Sequence, residues 1–104
     1  MNPWLIVLIA GLMETGWALG VKYSEGFTRP LPSALTVAGA LASFWLLSIA
    51  MKSLPVGTAY AVWVGIGAVG TAALAVVLFG EPVNLLRVAG IGLILAGIIA
   101  LKFA

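Results

Sequence analysis

The chain has 104 residues, 63% of them hydrophobic and 8% charged, with a mean hydropathy of +1.24, well beyond the roughly half-apolar make-up of soluble domains. It has no cysteine and no histidine, which removes disulfides, thiol nucleophiles, typical zinc sites and histidine acid–base chemistry, and with them most metal-centre and hydrolase readings. Five Lys and Arg residues against three acids are too few and too scattered for a nucleic-acid surface. The expectation is an all-α integral membrane protein with no cofactor.

Four apolar stretches fill almost the whole chain, approximately Pro3 to Val21, Leu31 to Met51, Val56 to Phe79 and Val83 to Leu101. Each is about as long as the roughly 20 residues a bilayer-spanning helix needs. The first has neither a basic leader nor an Ala-x-Ala cleavage site and reads as a retained span. Short connections at Lys22 to Pro30, Lys52 to Pro55 and Gly80 to Pro82 make neighbouring spans antiparallel hairpins. No boundary divides residues 1–104, which read as a single four-helix transmembrane domain.

The first span holds Glu14, its only ionisable side chain. At about 1.5 Å per residue it sits about 16 Å from Pro3, near the middle of a hydrocarbon layer about 30 Å thick. A charge at a helix centre costs roughly 3 kcal/mol or more, so the residue is a candidate site for protons and cations. The alternative is a polar contact that locks helices together. Gly11, Trp17 and Ala18 share its face by their helical spacing. Gly11 is expected to open space beside the carboxylate and Trp17 to wall it, an arrangement suited to an organic cation lying against a ring. Trp4 fits an interfacial anchor, whereas Trp17, about 20 Å deeper, does not.

In the second span Ser43 is a small hydroxyl able to orient Glu14 or to bond its own backbone. In the third, Tyr60 and Trp63 lie three apart and form a second aromatic pair on one face, the phenol able to hold the carboxylate or a substrate N–H. Gly65, Gly67 and Gly70 spell G-x-G-x-x-G, but no strand precedes them and they lie within an apolar helix, so a dinucleotide site is rejected. Close helix contact and a hinge are expected there instead. In the fourth span Gly90 and Gly97, seven apart, suggest a packing stripe for a dimer. Glu25 and Glu81 fall in connecting segments and are expected to face solvent.

Lys52, Lys102 and the terminal amine fall on one side of the membrane, and Lys22, Arg29 and Arg87 on the other. Basic residues in short loops set orientation, and here they balance. Insertion both ways, with two copies pairing as an antiparallel dual-topology homodimer, follows as an expectation. Four tightly packed helices also leave little room to enclose a solute, whereas two such bundles can form a cavity between them.

The stretches Gly11-Leu-Met-Glu-Thr-Gly-Trp17, Lys22-Tyr-Ser-Glu-Gly-Phe-Thr-Arg29 and Gly57-Thr-Ala-Tyr-Ala-Val-Trp63, followed by Gly65-Ile-Gly67, resemble the small multidrug resistance transporters over essentially the whole chain. Trp17 and the run Met51-Lys-Ser-Leu-Pro-Val-Gly57 resemble the guanidinium exporter subtype within that family. The resemblance implies an antiparallel homodimer in the bacterial inner membrane that exchanges protons for guanidinium ions. It makes Glu14 the shared proton and substrate site, lined by Trp17, Ser43, Tyr60 and Trp63 with Gly11 beside it. Val64 departs from the Thr or Ser expected after the Trp, Thr15-Gly16 departs from a bulkier apolar pair, and Ser43-Phe-Trp-Leu-Leu47 resembles the multidrug branch. Export of quaternary or other hydrophobic cations is therefore the alternative, followed by a small dual-topology ion channel and by an accessory subunit. An enzyme is not expected, because one buried acid without a nucleophile or metal ligand offers no reaction.

Overall fold

The computed structural model describes residues 2–104. They form α1 (Pro3–Tyr23), α2 (Pro30–Ala50), α3 (Val56–Phe79) and α4 (Leu85–Lys102), each long and apolar enough to cross a membrane. Local chemistry explains the ends. Asn2 caps α1, its Oδ1 accepting the Trp4 N–H at 2.8 Å, with Pro3 in the first turn where a missing donor costs nothing. At its other end α1 runs two residues beyond the expected stop. Lys22 does not break the helix, because its ammonium rests over the Phe79 ring, 4.5 Å from the centroid, while Tyr23 packs on the same ring at 5.3 Å; long side chains with polar tips extend helices into the interface in this way.

Between α1 and α2 the chain turns through Glu25, Gly26 and Phe27, all with positive φ. Buried Ser24 stabilises this turn by donating to the Val21 carbonyl and accepting the Phe27 N–H. Arg29 is extended, as the residue before a proline prefers, and α2 starts on Pro30. α3 has the expected bounds and ends on Gly80 at φ +65°, whose N–H returns to the Ala75 carbonyl. α4 begins at Leu85, two residues later than expected. The reason is Asn84, which is extended and accepts the Arg87 N–H at 2.9 Å, so the helix starts at its natural cap.

α1 is the central helix, packed against both α2 and α3, while α4 rests on α3 alone. The result is a slab of 40 × 34 × 18 Å. Its tight end joins the first half of α1, the second half of α2 and the start of α3, where Ala10, Ala50 and Ala59 are completely buried beside Val7. Lipid tails are as apolar as these side chains, so close backbone approach rather than hydrophobic drive holds the helices. At the other end α3 diverges from α2. α4 has no buried residue, and nothing lies within 4 Å of a side chain built at Gly90 or Gly97. Its outer face is left for lipid or a second copy.

Candidate functional site

Glu14 lies near the midpoint of α1, half-buried, and its side chain is laid across the backbone of α3 at Gly67. A Cβ at Gly67 would fall on the Glu14 carboxylate, so only glycine lets the acid occupy this place. The neighbouring turn repeats the device: Thr15 sits where a Cβ on Gly70 would go, and its hydroxyl donates to the Gly67 carbonyl at 3.3 Å. Among the described residues the hydrogen bonds that cross between helices come from Thr15, Ser43 and Trp63, and the one ion pair joins Arg87 to Glu81. None of them reaches the Glu14 carboxylate.

Around that carboxylate runs a belt of rings. Trp17 packs on Phe44 with centroids 6.2 Å apart, Phe44 on Trp63 at 5.2 Å, and Trp63 on Tyr60 at 5.7 Å, all tilted by 48–50°. Ser43 takes neither of its expected roles. Fully buried, it donates to the Ala10 carbonyl of α1 at 2.8 Å and accepts the Trp63 indole N–H at 2.9 Å. It therefore ties three helices together behind the wall and fixes the rotation of Trp63. Tyr60 stays exposed and makes no bond to Glu14.

Glu14, Trp17, Phe44, Tyr60 and Trp63 open onto one cavity of about 630 Å³. Along α3 its floor passes Trp63, Gly67, Thr71 and Ala75, one residue per turn. From Tyr60 to Ala75 this is a groove of about 22 Å at helical rise, and it ends at Glu81 and Arg87 beyond the helix. Glu81 is thus not the freely solvated loop residue expected; its carboxylate holds Arg87 at 2.9 Å and lines the groove. A second, apolar cavity of about 530 Å³ lies between α1 and α2, with Trp17 forming part of both walls.

Gly11 is placed differently from its expectation. It is buried, and a Cβ there would meet Ile66 at 2.7 Å, so it brings α1 against α3 instead of opening space beside Glu14. Gly65 receives Ile98 of α4 in the same manner. Gly65, Gly67 and Gly70 all lie within an unbroken helix and serve as seats for Ile98, Glu14 and Thr15. Phe44, Thr71 and the Glu81–Arg87 pair were missed by sequence reasoning. Phe44 carried a signal, an aromatic next to a mid-span serine, whereas the loop pair depends on how the chain doubles back after Gly80.

Four membrane-spanning helices packed about a mid-span acid define a small multi-pass membrane protein. A model of the Small Multidrug Resistance protein family matches residues 2–94, and the chain belongs to that family. It is 61% identical to a guanidinium exporter of Yersinia pseudotuberculosis serotype I (strain IP32953), over 97% of both chains. A guanidinium exporter of Escherichia coli (strain K12) is 56% identical over 97% of this chain and 96% of its own, and one of Proteus vulgaris is 52% identical over 97% of each.

Proposed function

We propose that this single-domain protein is a proton-coupled exporter of guanidinium and small substituted guanidinium ions, working as an antiparallel dual-topology homodimer in the bacterial inner membrane. The observation that carries this reading is the Glu14 carboxylate, without a protein partner among the described residues, seated on bare backbone in a ring-walled groove. An unpaired carboxylate at mid-membrane depth needs a cation or a proton. Guanidinium supplies planar N–H donors for carboxylate oxygens and π faces for the Trp17 and Trp63 rings. The similarity to relatives named guanidinium exporters supports the same cargo.

Proton and cation compete for the same two oxygens, and that competition is the coupling. In a dimer two Glu14 residues would share a cavity and titrate as a pair. Ser43 contributes by orienting Trp63, and Gly11 by fixing the α1–α3 distance. Bending of α3 at Gly65, Gly67 and Gly70 would switch access, and the free stripe of Gly90 and Gly97 on α4 would pack the two copies.

Phe44 in the wall favours a second reading, export of bulkier hydrophobic or quaternary cations, which gain from ring contact without hydrogen bonds. Proteoliposomes loaded at acid pH test both. Wild-type protein should accumulate guanidinium against its gradient as protons leave, and Glu14→Gln should abolish accumulation. Tetrapropylammonium outcompeting guanidinium would favour the second reading, and equilibration without accumulation would indicate a channel.

A further inference from the structure

The groove has one carboxylate midway along it, Glu14 at Gly67, and a second, Glu81, at one end. Gly67, where Glu14 lies, and Phe79, the last residue of α3, are twelve residues apart, about 18 Å at helical rise. Just past Phe79 comes Glu81. Its Oε1 accepts from Arg87 Nη2 at 2.9 Å, and the two side chains are only 39% and 31% exposed. The contact uses one oxygen of Glu81 and one nitrogen of Arg87, not the two parallel bonds a guanidinium and a carboxylate can form. Arg87 is the third residue of α4, presented by the Asn84 cap. Of the other two cations at this end, Lys22 is engaged on the Phe79 ring and Arg29 precedes the start of α2.

We propose that Glu81 is a second, outer binding site for guanidinium ions, and that the Arg87 side chain occupies it as a tethered stand-in for the cargo. This rests on the guanidinium reading above. The head group of Arg87 has the same chemistry as the proposed solute: planar, cationic, donating N–H bonds around its rim. An arriving guanidinium ion can therefore take over the carboxylate bond by exchange, while the displaced Arg87 swings to water. A singly bonded, one-third-exposed pair is weak enough to open. Beyond it the groove continues past Ala75 and Thr71, whose buried hydroxyl has no partner among the described residues, to Glu14. The same exchange disfavours cations without N–H donors, which cannot replace the hydrogen bond that Arg87 gives up. Glu81 thus filters cargo at the mouth before Glu14 holds it at the centre.

The test uses Glu14→Gln protein, in which the inner site is silent, with arginine side chains labelled in ¹⁵N. Only Arg29 and Arg87 contribute signals. Titrating guanidinium chloride should shift the Arg87 resonance saturably and leave Arg29 in place, tetramethylammonium chloride at equal concentration should not, and adding Glu81→Gln should remove the effect. An Arg87 signal that stays fixed, or moves equally with both salts, overturns the proposal. Transport by the otherwise unaltered protein gives an independent readout. Glu81→Gln should lower kcat/KM for guanidinium by about threefold to fivefold, whereas Arg87→Gln, which vacates the site, should raise it. A pair that merely anchors the loop would give both variants the same sign, which also overturns it. Absence of any guanidinium transport by the wild type would instead defeat the functional reading on which the proposal stands.

Discussion

Ser43 is completely buried, and both of its hydrogen bonds go to groups that have no other use for it: the Ala10 carbonyl, already inside α1, and the Trp63 indole. Removing the hydroxyl strands the indole N–H in an apolar wall. Ser43→Ala is expected to lower stability by about 1 kcal/mol or more, toward the range for a buried donor left unpaired and above the ~0.6 kcal/mol average for membrane hydrogen bonds. It should also weaken guanidinium binding, because Trp63 loses its fixed rotation. Gly67→Ala acts oppositely, sparing the wall and evicting the Glu14 carboxylate from its seat; binding should fall at least tenfold. Unfolding in a denaturant series and a binding isotherm for each variant check both. Glu14, Trp17, Tyr60 and Trp63 were legible as a cluster because a mid-span acid is costly and helical spacing puts rings on its face. Ser43 was legible only as a hydroxyl, since its partners lie 33 and 20 residues away in the chain.

Among the elements, α4 is the one whose sequence and surroundings disagree. It is as apolar as the other helices, but none of its residues is fully buried, and it packs against α3 alone among the helices. Ile98 and Ile94 approach Gly65 from it, while Gly90 and Gly97 meet nothing within 4 Å. Small residues on an open stripe let another helix backbone approach closely. Gly97→Ile, alone or with Gly90→Ile, should therefore leave the monomer fold intact and weaken self-association by about tenfold or more, as read by dimer fraction against detergent-to-protein ratio. An unchanged dimer fraction would place the contact elsewhere. Helix number and order were legible from apolar length, and the bounds of α3 were met. The α4 start was set two residues early because apolar Val83 follows Pro82 and hydropathy does not see that Asn84 is the cap.

At the scale of the whole molecule, a slab 18 Å thin with a groove open along one side does not enclose a solute. The proposed dual-topology dimer is consistent with the balanced distribution of Lys and Arg, and pairing of that kind would close the groove over two Glu14 residues. A reporter fused to the C-terminus should then appear on both faces of the membrane. The groove itself was not legible: it depends on the divergence of α3 from α2 and on the return of Arg87 to Glu81, neither of which leaves a periodic trace in sequence. In the proposed dimer the closed groove would shield the two carboxylates from bulk water, so that each would hold either a proton or cargo.

The proposed competition makes equilibrium binding of guanidinium to the purified protein, followed across pH together with the protons released, the most direct measurement. If cation and proton share the Glu14 oxygens, the apparent Kd rises as pH falls, by about tenfold per pH unit once the site is mostly protonated and one proton is exchanged per ion. Protons should appear in solution on each addition of guanidinium. A Kd independent of pH, with binding that releases no protons, would contradict the account.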